Sequence, residues 1–367
     1  MKKMLVLLAA AGLGAPMAMG APSYVIEDLG LVQSGDFASQ GFGVSPGGVA
    51  FGRGFGSSNI PFFANPGQPL TALPNLAGKP YGVANGANDS GMVVGVGANT
   101  SFGSGAVPLQ WTNGVVTELS TDGAGVGRAN DVNDGGYVVG SIGGGSVEVG
   151  AYWHNGTVNP ITATTAGGAR MTTAFRVNNA GFAVGNGIDP NNVSRNVGLM
   201  YNIGNDSMVE VPALPGHNGT IAFDISEAGH VVGSSSFNQT DSKPFIWSAD
   251  RGASEAIPLP DGTSSAIARG VNSDGWVVGI GSGQFAVPFL YDGEQTYRLQ
   301  DLLPADTDWD ISTNTSSSAL GIAEDGTIVG TAVIDGEIRA YRMTLVPAPG
   351  ATALLGLGGL AFMRRRR

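Results

Sequence analysis

The chain has 367 residues, 60 of them Gly and 20 Pro, with 13% charged residues and no Cys. Without cysteine it can form no disulfide, present no thiol nucleophile and offer no Cys ligand to a metal, so an exported form must be held by burial and strand pairing alone. The formal net charge is −11, and it becomes −17 once the two lysines of residues 1–20 and the four terminal arginines are set aside; so acidic a body repels phosphate backbones and argues against nucleic acid as a partner.

The opening "MKKMLVLLAAAGLGAPMAMGAP" has a basic start, an apolar run from Met4 to Leu13 and small residues around Ala18-Met19-Gly20. That order predicts a secretory signal peptide over residues 1–20, handled by the Sec translocon and cut by signal peptidase after Gly20. The run is too short for a membrane anchor, which needs about 20 apolar residues.

The stretch "YVIEDLG", Tyr24 to Gly30, precedes a series of similar units. Phrases such as "NDSGMVVG", "NDGGYVVG", "NNAGFAVG" and "NSDGWVVG" end at Gly95, Gly140, Gly185 and Gly279; related phrases end at Gly52, Gly233 and Gly330. The seven endings are spaced by 43, 45, 45, 48, 46 and 51 residues, a period of about 46 that marks a repeat architecture. Four residues before each ending stands another Gly, and eight before it an aliphatic or Ala: Val44, Ala87, Val132, Val177, Ile225, Val271, Ile322. Each unit goes on through a polar loop, an aromatic stretch such as "PLQWTNG" or "PFIWSAD", and a last stretch such as "VVTELS" or "SEAIPLP". Four short strands of about 5 residues with turns fill such a unit.

Neighbouring side chains of a strand point to opposite faces, and both residues of the "VV" pair are apolar in nearly every copy. The strands are therefore covered on both faces, as in sheets stacked radially in a β-propeller. The Asx-x-Gly part reads as a hairpin turn whose Gly supplies a positive φ, and the Gly after "VV" as a point of close backbone approach near the axis. The seventh unit has an aliphatic strand (Leu320 to Ala323), "TIVGTAVI" and "RAYRMTL" but no outer strand. The prediction is one all-β domain over residues 21–346, a seven-bladed β-propeller of four-stranded blades closed by the N-terminal strand Tyr24 to Gly30. The alternative is a six-bladed propeller with a degenerate first unit.

The repeat resembles the HAF family of probable extracellular repeat proteins, on "ARGVNSDGWVVG", "PFIW" and the long final "DLLPADTDWDISTNTSSSALGIAEDGTIVG" with Trp309 in its loop. The first copy departs with Ser45-Pro46 in place of the Asx pair, and the strict His-Ala-Phe triplet is absent. The resemblance covers most of residues 24–345, implies a secreted β-propeller, and carries no established catalytic residues.

Chemical motifs are sparse. His230 occupies a blade-packing slot after the turn Gly, His154 and His217 lie in turns and loops, and no paired-His spacing suggests zinc. No G-x-S-x-G elbow or phosphate-binding loop occurs, and nothing calls for a cofactor. "DTDWD" (Asp306, Asp308, Asp310) is either a solvated loop or a calcium loop, but Ile311 stands where a calcium loop has Gly. The residue before each unit's aliphatic is expected to face the axis: Gly43, Gly86, Asp131, Arg176, Asp224, Gly270, Gly321. Asp131, Arg176 and Asp224, from three consecutive units, are expected to line one side of the channel mouth, either as the seat of a polar ligand or ion or as a structural ion-pair cluster.

The chain ends "VPAPGATALLGLGGLAFMRRRR": Val346-Pro347-Ala348-Pro349, an apolar run from Ala351 to Met363, and Arg364, Arg365, Arg366 and Arg367. Thirteen helical residues would cover roughly 20 Å, short of the hydrocarbon core, and the arginines keep the end cytoplasmic. This order of parts is similar to the PEP-CTERM sorting tail, with Ala348 where that motif has glutamate. The similarity implies transient insertion of residues 347–367 in the inner membrane, recognition by an exosortase-type membrane protease, and release to the cell surface; a permanent short anchor is the other reading. The whole predicts a secreted or surface-sorted propeller, a binding or structural component of the bacterial envelope or matrix that meets extracellular polysaccharide or a surface protein. The alternative is a secreted glycan-active hydrolase or lyase, which needs paired carboxylates around the axis where this chain offers one acid per unit at best.

Overall fold

A computed structural model describes residues 21–237 and 240–347. The expected signal peptide (1–20), and Ala348, Pro349 and Arg364 to Arg367 of the sorting tail, lie outside the described residues. Strands make up 53% of the structure, and among the described residues the only helices are the short 3-10 turns Gly145–Val147 and Leu299–Leu302. No described helix is long and apolar enough to cross a membrane.

The third unit shows the plan: Gly127–Val132, Val138–Ile142, Val149–His154 and Thr157–Pro160 form one antiparallel sheet in chain order. The turn Gly has positive φ in all seven units, from 75° at Gly136 to 95° at Gly48, the conformation that Gly adopts without strain. Outer strands are shorter than expected in two units, only Thr71–Ala72 and Glu255–Ala256. Pro69 and Pro74 flank the first and Pro258 and Pro260 follow the second, and proline lacks the N–H a ladder needs. A single parallel bridge, Asn59 to Tyr81, joins the first two units into an eight-stranded sheet.

Among the described residues the buried apolar side chains form seven clusters, each between successive units. Val138 packs with Val94 and Trp153, whereas its neighbour Val139 enters another cluster with Met171 and Leu199. Val93/Val94, Ala183/Val184, Val231/Val232, Val277/Val278 and Ile328/Val329 fork in the same way. Val329 meets Ala50 and Phe62 of the first unit, whose Phe51 in turn packs with Val93. Burial on both faces is what the doubled apolar residues predicted. The aromatic strands add polar ties: Trp153 Nε1 donates to Ser120 O at 2.6 Å and Trp111 Nε1 to Pro74 O at 2.8 Å, each reaching the loop that leaves the preceding unit.

The Asx turn does more than reverse the chain. Asn133 Oδ1 accepts from the Tyr137 N–H (3.0 Å) while its Nδ2 donates to Asn178 O of the next unit (2.9 Å). Asn88 and Asn178 make the same outward bond, to Asn133 O and Ser226 O. The following residue adds a second clasp: Asp89 N donates to Asp134, Asp134 N to Asn179, Asn179 N to Glu227 and Ser273 N to Glu324. Glu324 N then donates to Pro46 O, and Gly47 N to Asp89.

The N-terminal strand Tyr24–Gly30 pairs antiparallel with Glu337–Leu345, in register from Tyr24–Leu345 to Asp28–Tyr341, with a one-residue shift before Gly30–Ala340. Tyr24 is fully buried and its hydroxyl donates to Gly326 O at 3.1 Å. Trp309, expected in a loop, is instead a core residue: Trp309–Asp310 pairs with Val333 and Ile334, and its ring meets Tyr341 edge-on at 6.1 Å. A large ring that can leave water while its strand finds ladder partners does so.

Candidate functional site

The innermost strand of every unit carries a β-bulge at the same place, between Ala129 and Asp131 in the third unit. Ala129 and Val132 are three residues apart, so in an unbroken strand they would face opposite sides. Both lie in one core cluster, as do Ala174 and Val177, Ala222 and Ile225, and Ala268 and Val271. The bulge absorbs the odd residue and re-aims its side chain. It also corrects the expected role of the Gly after "VV". A Cβ on Gly140 would stand 1.9 Å from Arg128 O in the adjacent strand of its own sheet, so the crowding arises at the bulge and not at the axis.

The seven bulged residues are Phe42, Asn85, Asn130, Phe175, Phe223, Arg269 and Leu320. All are half-buried and together with Arg128 and Arg176 they line a cavity of about 380 Å³ at one end of the inner strands. Phe175 and Phe223 stack with centroids 5.6 Å apart, and the Arg269 guanidinium lies 4.2 Å from the Phe223 centroid. Asn85 and Asn130 each donate Nδ2 to the next unit, at Ala129 O and Ala174 O. Among the described residues no acid lines this mouth, although the chain has 29 acids against 18 Lys and Arg. Sequence reading missed these residues because it carried strict alternation back from the aliphatic. The signal was present in the constant Ala or Gly three residues before that aliphatic, out of phase with a period of two.

Asp131, Arg176 and Asp224 do come together, around a smaller cavity of about 60 Å³ nearer the Asx turns. Asp131 Oδ2 accepts from Val177 N at 3.0 Å and Asp224 Oδ2 from Val271 N at 2.9 Å, so each carboxylate ties its unit to the next. Arg176 Nε lies 3.8 Å from Asp224 Oδ1, and its Nη1 donates to Asn130 O (3.3 Å) and Phe175 O (3.1 Å). A Cβ on Gly43 would be 3.5 Å from Arg176 Nη2, so the guanidinium crosses from the fourth unit to the first and divides the two cavities. Burial pushes Asp131 up to about 6 and Asp224 up to about 7, against the pull of Arg176 and of the amide donors. Burial also lowers Arg269, with Arg176 adding like-charge repulsion.

The other candidates line neither cavity. His154 stacks on Tyr137 at 3.9 Å, His217 Nδ1 meets Ser235 Oγ at 3.1 Å, and His230 is half-buried in its packing slot. Asp310 accepts from the N–H groups of Ser312 and Thr313, while Asp306 and Asp308 are exposed. Among the described residues no group of three His, Asp or Glu is placed to hold a metal. Val346 and Pro347 follow the last strand, with Val346 N donating to Ser23 O at 2.8 Å.

The family described as protein of unknown function (DUF3466) matches residues 157–347, just over half of the chain. The chain belongs to the DUF3466 family. The DUF3466 match begins in the third unit's outer strand and so includes Phe175, Arg176, Phe223, Asp224 and Arg269 but not Asp131. No curated protein matches the chain. Among solved structures the DUF3466 chain is similar to YCF48 bound to D1 peptide, at 10% identity and TM-score 0.51 over 90% of this chain and 98% of that one. It is also similar to an oligogalacturonate lyase from Vibrio parahaemolyticus, at 11% identity and TM-score 0.53 over 89% and 97%. At such identities the likeness concerns the fold, which is that of a β-propeller.

Proposed function

We propose that this protein is an exported, surface-sorted, seven-bladed β-propeller that works as a binding or structural component of the bacterial envelope or matrix, and takes its ligand at the wide axial mouth. The seven units, the seven interlayer clusters and the pairing of Tyr24–Gly30 with Glu337–Leu345 support a ring closed between the chain ends. The basic, apolar and small-residue order of residues 1–20 supports export, and the Pro-x-Pro, apolar run and arginines after Val346 support sorting by an exosortase-type protease. The observation that carries the binding role is the cavity of about 380 Å³ lined by one bulged residue from each unit. Its size is that of small-ligand sites, and it combines aromatic faces with a few polar groups on rigid strands.

A hydrolase or lyase is the weaker reading. The two axial carboxylates both accept backbone N–H groups and sit beside Arg176. Acid–base catalysis needs carboxyl groups free to reach a glycosidic oxygen or a water. The test is a glycan array of the mature protein with a reducing-sugar release assay beside it, and mass analysis of both chain ends from the surface fraction of the native cell. Binding without sugar release, on a chain starting at Ala21 and lacking its terminal arginines, is the expected result. Release of reducing sugar, or a chain retained inside the cell with both ends intact, overturns the proposal.

A further inference from the structure

From the wide mouth we infer a ligand class: a pyranose chain bearing carboxylates, such as a uronate oligosaccharide, with its charge on Arg269 and Arg128 and its ring faces on Phe175 and Phe223. The inference rests on the mouth being a ligand seat and deepens that reading.

Arg269 carries the argument. Its guanidinium is half-buried, is covered by Phe223 on one side and is repelled by Arg176, and among the described residues it makes no hydrogen bond or ion pair. Its Nε is a buried donor without a partner. A desolvated cation in that state costs stability unless an anion supplies the missing contact. The planar guanidinium fits a planar carboxylate through two parallel N–H···O bonds. Arg128 at the rim is exposed and also lacks a polar partner among the described residues.

The other lining groups select a sugar over a bare ion. The stacked pair Phe175 and Phe223 offers flat apolar faces to the C–H side of a pyranose. Asn85 and Asn130 have their Nδ2 groups committed to Ala129 O and Ala174 O, which holds each amide so that Oδ1 remains as an acceptor for a sugar hydroxyl. Arg128 also lines a second cavity of about 180 Å³, with Arg53, Tyr81 and the exposed Phe102. The two spaces therefore meet at one arginine, and a ligand of several residues can run from the axis over Arg128 to Phe102. The acidity of the rest of the body does not bar such a ligand, because repulsion beyond about 10 Å is screened at 0.1 M salt while the contact charges are not.

The test is titration calorimetry of the purified protein with trigalacturonate, galacturonate, maltotriose and sodium sulfate, repeated for Arg269→Gln, Arg128→Gln and Phe223→Leu. Trigalacturonate is expected to bind at least tenfold more tightly than galacturonate, with maltotriose and sulfate weaker still. Arg269→Gln is expected to weaken trigalacturonate tenfold or more, and Arg128→Gln several-fold. Unchanged trigalacturonate affinity in a folded Arg128→Gln, a variant at an exposed position, overturns the inference, as does unchanged affinity in a folded Arg269→Gln. Sulfate binding as tightly as trigalacturonate overturns it in favour of a bare anion site. Maltotriose binding that Phe223→Leu abolishes and Arg269→Gln spares would overturn the carboxylate specificity yet leave the mouth as a glycan seat. No binding of any sugar here or on the array would remove the mouth itself as the ligand seat.

Discussion

Two glycines only four residues apart in sequence, Gly136 and Gly140, are required for different physical reasons. Gly136 has φ 75° with open space around its Cα, so Ala there meets only the cost of a left-handed backbone, about 1 kcal/mol. Gly140 faces Arg128 O, and a Cβ at 1.9 Å from a backbone oxygen forces strands apart. Gly140→Ala is expected to cost about 3 kcal/mol, at the upper end of overpacking penalties. Urea melts of the two variants check this, and equal losses would remove the bulge-crowding account.

Single strands show which parts of the molecule depend on distant sequence. Tyr24–Gly30 lies more than 300 residues from its partner strand, and Tyr24 is wholly buried there. Deleting residues 21–31 exposes the edge of Glu337–Leu345, and an unpaired edge invites association between chains. The truncated chain is expected to melt at lower temperature and to form soluble aggregates, with partial recovery when the peptide 21–31 is added. A monomeric truncated protein with an unchanged melting curve would refute ring closure by this strand. The doubled apolar residues made the two-sided burial of the inner strands legible, and the missing outer strand of the last unit made the N-terminal pairing legible. The bulges were less so, since they show only when Ala129 and Val132 are recognised as sharing a face.

Across the whole molecule the axis links units that are far apart in sequence through buried charge. In an unfolded chain an aspartate titrates near 3.9, whereas burial holds Asp224 to about 7 and Asp131 to about 6. Between the unfolded and folded values the folded protein binds the extra protons, so these groups favour the fold at low pH, and that contribution is lost as pH rises towards 7. Asp224→Asn keeps an oxygen for the Val271 N–H and removes the titration. The variant is expected to gain on the parent in melting temperature from pH 4 to pH 8, by on the order of 5 °C. A difference that does not vary with pH would show that Asp224 is charged throughout.

The sequence by itself determined the period, the two-faced strands and the turn glycines, because each is a local pattern that steric and hydrophobic rules read without a partner. It also picked out Asp131, Arg176 and Asp224 as axis-facing residues. Only the tertiary structure decided that those three clasp units together while Arg269, Phe223 and the other bulged residues open onto the larger mouth. A bulge moves a side chain by one position in the pleat, and which carbonyl, amide or ring then meets it depends on units brought together by folding.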